Sequence, residues 1–234
     1  MIISIHQPDY IPWLGYYYKM AHSDIFVYLD EVQFSNEAAH NFNVIKTSQG
    51  EYRLKIPVSY NFGDPINCVI TKDQLIWKKK HLKTLEMNYS RAPFFKEIFP
   101  KFSDILMISY PTLSDLNISI NQFICDEFGI HPIIRRSSEF DLHSKRETKV
   151  LDICETLGGS IYLSGNGARI YQKESNFQER NIELRYLKYK SIEYKQVWKG
   201  FMPNLSVLDY IFNCGFDWKY VEDAVEELNT NGNG

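Results

Sequence analysis

The chain has 234 residues, of which 44% are hydrophobic and 24% charged, enough to bury a sizeable core without disulfide or metal staples. Its 26 basic and 29 acidic side chains leave a net charge of −3, which excludes the basic footprint of a nucleic-acid binder. No apolar run approaches the ~20 residues needed to span a bilayer, so no membrane insertion is expected.

In chain order, the first element is a β-branched run at 2–5, without the basic and long apolar regions of a signal peptide. A helix is expected from 12 to 21, with proline tolerated in its first turn. Further short apolar runs follow at 25–29, 132–135, 161–164 and 182–187. Helical periodicity separates most of them, so they read as buried parallel strands with helical crossovers. Residues 51–60 alternate and meet the turn cluster Asn61-Phe62-Gly63-Asp64-Pro65 before an extended run at 68–71. This predicts a β-hairpin or small β insertion at about 51–72.

The stretch 73–128 reads as helical, broken at Pro93, Pro100 and Pro111. Ser144-Lys145-Arg146-Glu147 has the form of a capping box, before an apolar face of Val150, Leu151, Ile153, Cys154 and Leu157 and a Gly158-Gly159 stop. Two helices are expected at 206–214 and 217–228, then a frayed polar tail at 229–234. The expectation is one Rossmann-like α/β domain over 1–228, a parallel sheet with helices on both faces. Four cysteines, Cys68, Cys125, Cys154 and Cys214, are widely spaced with no CxxC pair. Free thiols of this kind suit a reducing cytoplasm.

Ligands of open parallel sheets gather beyond the carboxyl ends of the strands, and three polar clusters fall there. The first is His6-Gln7-Pro8-Asp9-Tyr10-Ile11-Pro12-Trp13, where two prolines stiffen the turn after the first strand. His6 there suits a general base, or a satisfied histidine closing a rigid turn. The second follows the 25–29 strand: Asp30 and Gln33, then Asn41 and Asn43. Asp30 suits a base, a metal ligand or a ribose acceptor, and equally a turn aspartate. The third is Ser164-Gly165-Asn166-Gly167-Ala168-Arg169-Ile170-Tyr171, in which glycine permits close approach and Arg169 can grip phosphate or carboxylate. Lesser candidates are His81, four residues from Trp77, and Gln196 and Asn204 near the last helices. Ser206 is placed to cap the helix after it. No Walker loop, GxGxxG, HExxH, GxSxG or spaced Cys/His metal set occurs.

With these blocks the chain resembles the WbqC-like proteins of bacterial O-antigen and other surface-polysaccharide clusters. The resemblance rests on His6-Gln7-Pro8-x-Tyr10-x-Pro12-Trp13-Leu14-Gly15-Tyr16 with Lys19, on 24–30 with Gln33, on Trp77 with His81, and on Tyr89-x-x-Ala92-Pro93-Phe94-Phe95. It continues through Tyr162-Leu163-Ser164-Gly165 with Arg169 and Tyr171, and Pro203-Asn204-Leu205-Ser206-Val207-Leu208-Asp209 to Asn213-Cys214-Gly215. Where that family often carries an arginine between two asparagines, this chain has Phe42.

The resemblance implies a transferase placing an acyl or aminoacyl group on a nucleotide-linked amino sugar. His6 would be the base and Asp30 its orienting partner. Gln7, Lys19, Gln33, Asn41, His81, Ser164, Gly165, Asn166, Arg169, Tyr171, Gln196 and Asn204 would bind substrate, and Tyr10 and Trp13 would stack on a sugar or base. The first 34 residues also look like the opening of pantothenate synthetase and related nucleotidyltransferase-fold enzymes, which implies an ATP-dependent adenylating ligase as an alternative. That family's second histidine is missing here, so Tyr10 or Gln7 would have to serve. A non-catalytic binding or scaffold protein is the third expectation. Neither cofactor nor oligomeric state is fixed by the sequence.

Overall fold

Each of the five apolar runs becomes a strand of one parallel sheet. The computed structural model describes residues 1–231. In chain order its elements are β1 (Ile2–His6), α1 (Leu14–Ala21), β2 (Ile25–Tyr28), β3 (Phe42–Thr47), β4 (Gly50–Lys55), β5 (Val58–Ser59), β6 (Ile70–Thr71), α2 (Gln74–Tyr89), α3 (Phe95–Met107) and α4 (Leu113–Phe128). They continue with β7 (Ile133–Arg136), α5 (Arg146–Thr156), β8 (Ile161–Ser164), α6 (Glu174–Gln178), β9 (Glu183–Tyr186), α7 (Val207–Cys214) and α8 (Trp218–Asn231).

The sheet order is β7-β2-β1-β8-β9, and every pairing in it is parallel, with Ile3 opposite Ile25 and His6 opposite Tyr28. Numbered by their own succession, these strands read 3-2-1-4-5, the Rossmann order, and the direction of winding reverses between β1 and β8. Side-chain alternation then sorts the core. Ile3, Ile5, Ile25, Val27 and Tyr162 point to the layer of α5 and α6, where they meet Leu151, Ile153, Cys154 and Phe177. Phe26, Tyr28 and Leu163 point the other way, into a larger core with α1, α3, α4 and α7. No helix among the described residues is long and apolar enough to cross a membrane.

Four local expectations are corrected. The 51–55 segment pairs backwards, as β4 against β3 from Phe42↔Lys55 to Thr47↔Gly50, and Gly50 closes the hairpin at φ +101°. Only Val58–Ser59 pairs with Ile70–Thr71 across the turn cluster. Pro100 lies inside α3 and does not break it. The carbonyl it leaves without a partner belongs to Lys96, and both residues are exposed, so water can take the vacant bond. The capping box is not made, because Lys145 is extended and Arg146 adopts φ +56°, where a box needs helical backbone. Glu147 instead accepts from the Lys173 N–H at 2.8 Å and from Asn176 Nδ2. Finally, α8 runs on to Asn231, into the segment expected to fray; residues 232–234 of that tail lie outside the described residues.

Candidate functional site at the switch point

A loop of seven residues joins β1 to α1, in the place where a dinucleotide-binding fold carries its glycine-rich turn. Here the loop is held from outside, one carbonyl at a time. Gln7 O accepts from Tyr16 Oη at 2.8 Å, Pro8 O from Asn117 Nδ2 at 2.8 Å and Asp9 O from Asn121 Nδ2 at 3.0 Å. Asn43 Nδ2 donates to both Tyr10 O and Ile11 O at 3.0 Å, and Val207 N donates to Pro12 O at 2.9 Å. Six consecutive carbonyls are thus satisfied, four of them by side-chain amides from α4 and β3. The clamp is tight enough to keep the β-branched Ile11 buried at φ +38°.

The clamp fixes His6 at the end of β1. Its Nδ1 lies 3.1 Å from Gln7 O and 3.7 Å from Asp9 Oδ2. A carbonyl only accepts, so Nδ1 carries the proton in the neutral ring and Nε2 keeps the lone pair, with no hydrogen-bond partner among the described residues. The ring stands edge-on to Tyr16, centroids 4.6 Å apart. Burial, then the nearby Lys19 charge, lowers its pKa below the ordinary 6.5. The side chain keeps 38% of its exposure, which moderates the lowering but leaves the imidazole neutral near pH 7.

Two further titratable groups flank it. Burial pushes the Asp9 carboxyl up to about 7 and the Lys19 ammonium down to about 7. Lys19 Nζ donates to Ile5 O at 2.8 Å. His6, Gln7, Arg146, Tyr162, Tyr171 and Gln172 line a cleft of about 720 Å³ beyond the carboxyl ends of β1 and β8. Arg146 forms no ion pair among the described residues.

Of the expected site residues, the cleft gathers His6, Gln7 and Tyr171, with Lys19 beneath them. Asp30 is not available to it. Fully buried, its carboxylate accepts from Ser137 Oγ (3.2 Å), Ser138 N (3.1 Å) and Ser138 Oγ (2.8 Å), so it ties the loop after β7 to β2. Tyr10 is equally buried, with its hydroxyl 3.0 Å from His81 Nδ1, so its ring offers no open face to the cleft. Trp13 stands edge-on to Tyr189 and lies over Gly15, where a Cβ would come within 2.3 Å of its ring.

At the end of β8, Ser164 is buried, Gly165 has open space where a side chain would go, and Asn166 Nδ2 donates to Leu187 O at 2.9 Å. Arg169 packs its guanidinium over the Tyr186 ring at 4.4 Å and does not line the cleft. Gln33 bridges to Pro65. Gln196 is buried between Lys46 Nζ and Met202, and Asn204 turns the chain at φ +56°, both as scaffold. Ser206 caps α7 by accepting from Leu208 N at 3.3 Å. Asn41 and His81 line a separate cleft, between β4, β5 and α2.

Sequence reasoning passed over Asp9, Arg146 and Gln172. It also missed the clamp, although α4 carried a signal: Asn117 and Asn121, four apart, interrupt the apolar face of Leu113, Leu116, Ile120 and Ile124. Among the described residues no group of three or more His, Cys, Asp or Glu is placed to hold a metal ion.

Fold and turn together define a Rossmann-like α/β protein whose first crossover is a proline-stiffened histidine turn rather than a glycine loop. The chain belongs to the WbqC-like protein family, whose model matches residues 7–220 and so begins one residue after His6. It is 35% identical over 217 residues to the uncharacterized protein Rv1507c of Mycobacterium tuberculosis (strain ATCC 25618 / H37Rv), an alignment covering 91% of this chain and 94% of that protein. No solved structure matches it significantly.

Proposed function

We propose that the chain is a transferase that places an acyl or aminoacyl group on the amine of a nucleotide-linked sugar bound in the His6 cleft, in the assembly of a surface polysaccharide. The observation that carries this reading is the His6–Asp9 pair. A neutral imidazole with a free Nε2 lines a cleft of substrate size, backed at 3.7 Å by a carboxyl poised near 7.

In the reaction, the sugar amine attacks the carbonyl carbon of the activated donor. The new N–C bond forms, the bond to the leaving group breaks, and the leaving group departs with its electron pair. His6 Nε2 takes the amine proton, and Asp9, ionised, stabilises the imidazolium as it forms. Arg146 at the cleft mouth supplies a charge for the nucleotide phosphates, and Tyr171 and Gln172 supply a face and an amide for the sugar. The four free cysteines fit a cytoplasmic setting.

A thermal-shift series against sugar nucleotides tests this. Those carrying a free amine should raise Tm by several degrees, and their unaminated counterparts by less. Under the conditions that shift Tm, His6→Gln should abolish transfer from an added acyl donor while leaving the melting temperature of the free protein within about a degree. No shift with any sugar nucleotide, or full activity in His6→Gln, would sink the reading.

A further inference from the structure

The second cleft, of about 690 Å³, opens between β4, β5 and the start of α2, on the β insertion. Four cations line it, Arg53, Lys55, Lys72 and Lys80, against one carboxylate, Asp73. None of the four is paired with an acid among the described residues. Arg53 is not loose: its guanidinium rests 4.0 Å above the Phe42 ring, on the face of the β3–β4 hairpin. Unpaired cations converging on a concave surface make a standing positive potential.

Three observations besides charge point to a ligand. The 16-residue helix α2 begins at this cleft with Asp73 at φ +46° and no side chain capping its first turn; Ile76 N and Trp77 N are turned back onto Asp73 O, at 2.9 and 3.3 Å, and the positive end of the helix dipole stands uncompensated by a capping side chain. Two lining residues, Asn41 and Trp77, are almost fully buried, yet Asn41 Oδ1 and Trp77 Nε1 have no hydrogen-bond partner among the described residues. Tyr52 and Tyr60 line the cleft 39% and 42% exposed, Tyr60 held edge-to-face on the core residue Phe34 with centroids 4.6 Å apart.

We propose that this cleft is a binding site for a nucleoside di- or triphosphate, with the phosphates on Arg53, Lys72 and Lys80 near the positive end of α2 and the base against Tyr52 or Tyr60. Base-on-tyrosine stacking and charge-assisted phosphate contacts account for the mixture of aromatic and cationic lining, which a purely anionic or purely apolar ligand would leave half used. The site is independent of the His6 cleft in its lining, but it touches the His6 turn. His81, on its wall, holds Tyr10 of that turn by the 3.0 Å bond.

The test is titration calorimetry with ADP on the full chain. ADP should bind, with affinity falling as salt is raised. The Arg53→Glu/Lys80→Glu double variant should lose at least ~10-fold in affinity, and Tyr52→Ala/Tyr60→Ala a smaller factor. Arg146→Glu, in the other cleft, should bind ADP like the unaltered protein. Absence of ADP binding at about 1 mM, or unchanged affinity in the Arg53→Glu/Lys80→Glu variant, overturns the site. Loss confined to Arg146→Glu would place the nucleotide in the His6 cleft and also overturns it. Inorganic pyrophosphate binding as tightly as ADP would refute the nucleoside.

Discussion

Asp9 titrates at about 7 in the fold against an ordinary 3.8. The fold therefore favours the protonated form. Its contribution to stability is complete below pH ~4, diminishes as pH rises through the interval, and is lost above pH ~7. Asp9→Asn keeps the neutral shape at every pH, so the variant should gain on the native chain between pH 5 and pH 8, by at most ~3 kcal/mol. Urea unfolding at the two values decides it; a difference no larger at pH 8 than at pH 5 would count against a buried, proton-poised Asp9. That Asp9 rather than Asp30 stands beside His6 was not legible from local sequence. Both carboxylates follow a strand end, and what separates them is Ser137 and Ser138, more than a hundred residues further on, which saturate Asp30. The importance of the turn itself was legible, since its prolines and histidine stand together in the chain.

The elements show where local rules hold and where they yield. Short apolar runs marked β1, β2 and β8 because strands buried on both faces have little polar side to show, whereas the edge strands β7 and β9 carry Arg and Glu at positions that are not fully buried. The β3 strand was missed because Phe42–Thr47 mixes Asn and Lys with Val and Ile, and the donors of its Lys46 are satisfied by acceptors far along the chain, Gln196 Oε1, Trp198 O and Gly200 O. Pro100 was read as a break, yet α3 passes through it. Pro100→Ala should restore the bond to Lys96 O and raise stability by about 1 kcal/mol, read as a rise in Tm. In α4, Asn117 Nδ2 donates to two carbonyls, Pro8 O and His40 O. Asn117→Asp would set a buried carboxyl against both and should destabilise by about 3 kcal/mol or more in denaturant titration. An unchanged midpoint would mean the clamp is slack.

At the scale of the whole molecule, the sheet order puts the β1–α1 turn at the reversal between β1 and β8; the parallel, Rossmann-like layout followed from pattern, though not the strand order. The presence of two clefts did not, because the residues of each come together only through tertiary packing: Asn41 and His81 belong with Arg53 and Lys80, away from Gln7 and Tyr171. If the clefts bind separately, saturating an aminated sugar nucleotide and ADP together should raise Tm by about the sum of the two single shifts. A combined shift no greater than the larger single one would mean that both ligands share one site.

The clamp on the histidine turn also sets how the motif can be used. Its conspicuous residues are contiguous, yet its shape is supplied by amides from a strand and a helix that come later in the chain. The block is therefore not a portable cassette. Grafted onto a foreign β–α junction, or made as a free peptide, it would carry the letters of the motif without its geometry, and a peptide spanning 5–18 should give the NMR spectrum of an unstructured chain. An engineer wishing to move this site would have to transplant asparagines that no inspection of the motif reveals.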